Sequence, residues 1–259
     1  MNVGIIYFIV IVIANTIGAI SGMGGGVLIK PIFDLIDSHS VAEISFYSSS
    51  AVLTMAIVSS YKQVKSGVKI DWSFAIQISF GSILGGILGN ELFEKILSFY
   101  PQGREVQLLQ ILLTILTLLL SFFYSKGYWK NFEVKQFYWK VISGLLLGFL
   151  ASLLGIGGGP INVALLMFLF NTPIKLATVY SILTILLSQF SKVVTILLTA
   201  NLERYDLNIL FFIIPAAIIG GFLGAYLSKR MPEKKVNTLF QVVIISVLLL
   251  NIYNAFKIY

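Results

Sequence analysis

Cysteine is absent from this 259-residue chain, which excludes disulfides and thiolate metal sites and leaves the redox compartment unread. One histidine, His39, argues against a histidine metal cluster. Charge is scarce too, at 11% of residues against roughly 25% in soluble domains. No Gly-x-x-x-x-Gly-Lys-Ser/Thr run occurs, so no ATPase is visible. The apolar stretches hold no His/Asp/Glu constellation for an intramembrane enzyme. What fills the chain is hydrocarbon: 58% of residues are hydrophobic, and the mean hydropathy is +0.94. That is the composition of an integral membrane protein. The excess of 18 Lys+Arg over 11 Asp+Glu, +7 net, fits basic cytoplasmic loops better than a nucleic-acid partner. The start, Met1 to Ile5, lacks a basic leader and a small-residue cleavage site, and is expected to be a retained membrane segment.

Against that background one motif occurs twice: Gly22-Met23-Gly24-Gly25-Gly26, and Gly155-Ile156-Gly157-Gly158-Gly159 at 133 residues' distance. Glycine in a helix costs about 1 kcal/mol relative to alanine. Unwound backbone at membrane depth is tolerated only where protein buries it or a cavity adjoins it. Paired breaks in two halves point to the binding site of a transporter; the plainer alternative is that the glycines only let helices pack closely.

The halves match further. Tyr47-Ser48 recurs as Tyr180-Ser181 at the same spacing, and Asp71, Gly85-Gly86 and Gly89 recur as Asp206, Gly220-Gly221 and Gly224 at a spacing of 135. Apolar segments run from about Val3 to Ile20, Val27 to Ile36, Val41 to Tyr61, Trp72 to Leu92 and Val106 to Tyr124, then Phe137 to Leu154, Pro160 to Phe170, Ile174 to Thr199, Leu207 to Leu227 and Val236 to Phe256. The second of each five is too short to cross a bilayer, which takes roughly 20 residues, and reads as half of a broken or re-entrant hairpin. Gly81, Gly85 and Gly89, matched by Ala216, Gly220 and Gly224, form a small-xxx-small pattern that reads as helix packing. Trp72, Tyr100, Trp129 and Trp139 fit interfacial belts.

Loop charge sets orientation. Lys62, Lys65 and Lys69, then Lys126, Lys130, Lys135 and Lys140, then Lys229, Arg230, Lys234 and Lys235 mark cytoplasmic loops. The stretches Asp37 to Glu43 and Glu203 to Asp206 read as external. Equivalent loops then fall on opposite sides. The expected fold is an all-α polytopic membrane protein, one transporter domain over residues 1–259. Two inverted repeats of about five helical segments, 1–124 and 137–259, flank a cytoplasmic linker, 125–136, and both termini lie outside.

Size, the doubled Gly-x-Gly-Gly-Gly signature, Pro160 directly after its second copy and the paired glycine-rich later helices together resemble the TauE/SafE family of sulfite and organosulfonate exporters, over nearly the whole chain. The resemblance implies a cytoplasmic-membrane carrier for small sulfur-containing or carboxylated anions such as sulfite, sulfoacetate or thiosulfate. The first copy departs from the second, with Val27 after its glycines and Pro31 later, so the half-sites need not contribute equally.

A helix beginning after a glycine run presents free N–H groups and about half a positive charge, which suits an oxyanion. The candidate substrate site comprises Gly22, Gly24, Gly25, Gly26, Gly155, Gly157, Gly158, Gly159 and Pro160, whose missing N–H costs nothing at a helix start. Asn162 either donates to substrate oxygen or glues helices. Ser181, Thr184, Ser188, Lys192 and Thr195 share one helical face. Lys192 either snorkels past Thr199 to the surface or attracts the anion, since an intramembrane lysine costs about 2.5 to 3.5 kcal/mol on insertion scales. Lys30 either adds charge at the first break or is neutralised by Asp34 one turn on. Tyr47 and Ser48, with Tyr180 and Ser181, complete the set because both halves carry them. The expected function is secondary, proton-coupled anion transport by alternating access; an anion channel or a carboxylate uptake carrier is the alternative. No cofactor, metal or nucleic acid is expected. The partners are the small anion and the bilayer, with a homo-oligomer left open.

Overall fold

Backbone polar groups in lipid must be satisfied within the chain, so apolar stretches fold as helices and end where the sequence stops supplying helix formers. In the computed structural model, which describes residues 3–100, 102–127, 129–199 and 202–258, ten α-helices follow one another. They are α1 (Val3–Ser21), α2 (Gly26–Ile36), α3 (Val41–Lys65), α4 (Trp72–Phe99), α5 (Arg104–Ser125), α6 (Phe137–Leu153), α7 (Pro160–Phe170), α8 (Ile174–Thr199), α9 (Leu210–Arg230) and α10 (Glu233–Ile258). No strand occurs among the described residues.

Local chemistry explains the boundaries. Ser40 and Glu43 form a reciprocal capping box at the start of α3. Asp71 caps α4, accepting from the Phe74 amide at 3.1 Å. Asp206 likewise accepts from the Asn208 amide at 3.0 Å, heading the short 3₁₀ turn that leads into α9. The recurrent aspartates are therefore helix caps. The two short helices end on left-handed residues, Asp37 and Asn171, of the types that tolerate that conformation. Helix α4 outruns the expected end at Leu92 by continuing to Phe99, because no glycine or proline interrupts the sequence between Gly89 and Pro101.

Seven described helices are long and apolar enough to span a membrane. Rows of exposed apolar side chains at four-residue spacing, Ile5, Ile9 and Ile13 on α1 and Leu112, Leu116 and Leu120 on α5, form the surface a bilayer covers.

Packing exchanges elements between the halves: α4 lies against α6 and α8, while α9 lies against α1 and α3. Glycine permits both close crossings. A methyl group on Gly81, Gly85 or Gly89 would strike the carbonyls of Val141, Leu145 or Phe149 on α6, and one on Gly224 would meet the Thr16 carbonyl on α1. The small-residue pattern is thus helix contact.

Helices α1 and α2 form a hairpin. Tyr7 near the start of α1 stacks on Phe33 near the end of α2, and its hydroxyl lies 2.8 Å from His39 Nδ1. Helices α6 and α7 form another: just ahead of α6, the amides of Phe132 and Val134 donate to the carbonyls of Phe168 and Leu169 at 2.7 and 3.0 Å. The first hairpin has its mouth at the start of α3, the second at the start of α8. Because Lys62 and Ser66 from the end of α3 line one cavity with Pro173 and Lys175, those mouths lie at opposite ends of the bundle.

Candidate functional site

The hairpin tips are the two glycine breaks, and they touch. A methyl group on Gly26 would meet the Ile156 carbonyl, one on Gly158 would lie 3.0 Å from the Met23 carbonyl, and one on Gly24 would lie 3.5 Å from that of Gly157. Gly22, Gly24, Gly155, Gly157 and Gly158 all adopt positive φ, where a side chain strains the backbone. Around this junction stand α3 and α8, each offering a β-branched residue: Val52 packs over Gly157, and Ile185 over Gly158 and Gly24.

From the junction two half-helices depart. In α2 the Gly25 carbonyl accepts from Leu28 and Ile29 at 3.0 Å, so the amides of Gly26 and Val27 lie ahead of these intrahelical bonds. In α7 Pro160 stands at the first position, and the Gly159 carbonyl accepts from Asn162 at 3.1 Å. Both ends bring partial positive charge to one place.

Polar side chains frame it unequally. Among the described residues, Ser48 is fully buried beside Gly26 with its hydroxyl unpartnered, and Asn162, 1% exposed, has neither side-chain nitrogen nor oxygen partnered. Such groups cost about 1–3 kcal/mol each when left unsatisfied, which fits a surface meant for a polar ligand. Ser181 instead donates to the Gly22 carbonyl at 2.5 Å, bracing the first break. Thr184 and Ser188 turn back to carbonyls of their own helix, Tyr180 and Ile185, at 2.8 and 3.1 Å.

Lys192 points inward. It is fully buried, and its Nζ donates to Ser45 Oγ at 2.8 Å and to the Ser152 carbonyl at 2.9 Å. It forms no ion pair among the described residues. Full burial on inward partners removes the snorkelling alternative, and six residues of α8 lie between Lys192 and the helix end at Thr199. Ser45 also lies against Gly155, and the Lys30 side chain passes the same glycine. Lys30 is paired with Asp34, Nζ to the carboxylate oxygens at 2.9 and 3.2 Å.

The hydroxyls of Tyr47 and Tyr180 are engaged by backbone outside the two glycine breaks. The Tyr47 hydroxyl donates to the Asp206 carbonyl at 2.9 Å, and the Tyr180 hydroxyl accepts from the Asp71 amide at 3.0 Å. Each tyrosine ties the third helix of one half to the capping residue before the fourth helix of the other. Tyr47→Phe and Tyr180→Phe are therefore expected to cost about 1 kcal/mol of stability each with anion affinity unchanged. A thermal-unfolding series beside a binding isotherm separates these roles; lost affinity at full stability would return them to the site.

Sequence reading missed Ser45, Val52 and Ile185. The spacing of 133 held the signal, since it pairs Ser45 with Thr178, which lies against Gly22, and Val52 with Ile185.

Two facing breaks enclosed by long apolar helices define a multi-pass membrane protein with an internal polar junction. The family described as sulfite exporter TauE/SafE matches residues 7–251, and the chain belongs to that family; it is a membrane transporter of this type. Among its relatives, the probable membrane transporter protein YunE of Bacillus subtilis (strain 168) is 24% identical over 90% of this chain and 91% of its own length. The probable membrane transporter protein MJ0441 of Methanocaldococcus jannaschii is 27% identical over 84% of this chain and 80% of its own. No solved structure matches the chain.

Proposed function

We propose that the chain is a secondary carrier that moves a small sulfur-containing or organic anion, such as sulfite, sulfoacetate or thiosulfate, across the cytoplasmic membrane by alternating access. The observation that carries this reading is the contact between the two glycine breaks, with two half-helix starts and unpartnered Ser48 and Asn162 at one buried point. An oxyanion there accepts hydrogen bonds that water cannot supply. Hairpins entering from opposite ends, and α4 and α9 exchanged between halves, support inverted repeats 1–124 and 137–259 that rock about this point. Basic loops at the Lys65 end support placing that end in the cytoplasm and both termini outside.

Reconstitution in liposomes tests the function. A carrier shows saturable flux of labelled sulfite or thiosulfate and is accelerated by unlabelled anion on the far side. Unsaturable flux without such exchange assigns a channel. Topology is tested separately: reporters fused after Lys65 and after Arg204 are expected in opposite compartments, the first cytoplasmic, and one shared compartment would remove the inverted-repeat reading.

A further inference from the structure

The pair Lys30–Asp34 occupies a position that neither break requires. Both side chains are almost wholly buried, at 3% and 2% exposed, on the same face of α2. Asp34 borders two separate spaces. On one side is a cavity of about 460 Å³ at the mouth of the first hairpin, which Asp37 and His39 also line. On the other is a small internal cavity shared with Lys30, Gln110 of α5, Asn251 of α10 and Ile156 of the second break. The carboxylate is thus the partition between the outer cavity and the junction. Lys30 reaches from that carboxylate along Gly155, where Ser45 holds Lys192. At the spacing of 133, Lys30 and Asp34 correspond to Val163 and Met167, so the second half has no such pair.

We infer that Asp34 is the proton-carrying group of this transporter, taking a proton from the outer cavity as the anion takes Lys30. This rests on the carrier reading above. In the anion-free protein the carboxylate neutralises Lys30. When an anion settles at Gly155, the ammonium has a second counter-charge, and an unprotonated Asp34 would face that anion in a buried space. Protonation of the carboxylate removes the repulsion and frees Lys30 to turn to the substrate. Proton and anion therefore favour each other's binding, reciprocally and by the same factor. Other charged or titratable groups around the pair are Asp37, His39, Arg104, Arg204 and Lys257 at the outer cavity, Tyr7 of α1 against Phe33 and His39, and Lys192 across Gly155. His39, whose residue type ordinarily titrates between about pH 5 and 8, and the fully buried Lys192 are the competing sources of any proton.

The test uses the purified full chain and thiosulfate, which stays ionised across that range. Binding is measured by calorimetry in two buffers of different ionisation enthalpy. The wild type is expected to take up about one proton per thiosulfate bound, with affinity falling by up to about tenfold per pH unit as pH rises. Asp34→Asn leaves Lys30 without a counter-charge, and is expected to bind with no proton uptake and with an affinity that is flat in pH. His39→Gln is expected to keep the wild-type uptake. Should Asp34→Asn fail to fold, Asp34→Glu serves: retained uptake with a displaced pH midpoint supports the assignment, and an unmoved midpoint overturns it. Wild-type binding without proton uptake, or uptake that persists in Asp34→Asn or vanishes in His39→Gln, also overturns it while leaving the carrier intact. Failure of the wild type to bind thiosulfate, sulfite or sulfoacetate at all removes the carrier reading itself.

Discussion

Gly158→Leu is expected to reduce transport to background. Its Cβ would fall onto the Ile185 side chain and 3.0 Å from the Met23 carbonyl, so the new side chain drives the two breaks apart from within. The backbone at Gly158 also has φ of 144°, which only glycine adopts freely. Gly25→Leu is expected to do the same by a different collision, since its Cβ would land on the Asn15 side-chain oxygen. Overpacking of this kind costs about 1–3 kcal/mol, and left-handed strain adds about 1–2 kcal/mol where φ demands it. Membrane insertion should survive, because the long apolar helices carry it. Gly24→Ala is the graded member of the series: its methyl group would find Ile185 at 3.3 Å and Val52 at 3.5 Å, tight but movable, with φ of 77° adding strain. It should lower flux partly. Flux assays beside quantitation of inserted protein read the result, and wild-type flux in Gly158→Leu and Gly25→Leu together would reduce the glycines to spacers.

Much of the fold was legible because membrane physics leaves few choices. Apolar stretches had to be helices, and the repeated glycines had to end them, so Pro160–Phe170 is a short helix after a break. The aspartates at Asp71 and Asp206 were visible as a repeat, but their capping role needed the chain path. The recurrence of Tyr47 and Tyr180 suggests binding from sequence alone, whereas in the structure their hydroxyls form a shared tie between halves. A one-dimensional pattern records that two positions are equivalent without recording which surface they face. The same holds for Lys192: spacing placed it on the Ser181 face of α8, but only packing shows that face turned to Ser45 and the Ser152 carbonyl. Inverted repeats could aim the two breaks at one point, but which atoms meet was illegible because the contact joins residues more than a hundred positions apart, each flanked by equally apolar neighbours.

The halves also differ where function needs a direction. The breaks are matched in glycine content, yet charge is concentrated on one side of the junction. Lys30, Asp34 and Lys192 gather near Gly155, whereas Gly22 meets Thr178 and Ser181. A symmetric scaffold with an asymmetric charge set holds an anion toward the Gly155 side, so the half-site of the second break should contribute more binding free energy than the first.

Lys192→Met is expected to weaken anion binding by at least about tenfold, equivalent to about 1.4 kcal/mol, with a smaller effect on folding. Two opposing terms govern the folding side. Removing the ammonium leaves Ser45 Oγ and the Ser152 carbonyl without their donor, costing about 1–3 kcal/mol. It also removes a fully buried charge that forms no ion pair among the described residues, whose desolvation costs several kcal/mol. The terms nearly offset, so stability moves little while the site loses its unpaired cation. Lys192→Arg should keep part of the affinity, since charge survives while the broad guanidinium misfits a space shaped around a compact ammonium. Ser45→Ala is the control that separates charge from geometry: it takes one acceptor from Lys192 and leaves the charge, so affinity should hold or rise. Binding isotherms for thiosulfate and sulfite, each beside a melting curve, read all three variants. If Lys192→Met binds with unchanged affinity and unchanged pH dependence, the lysine is structural, and the site rests on the helix starts at Gly26 and Pro160 with Ser48 and Asn162.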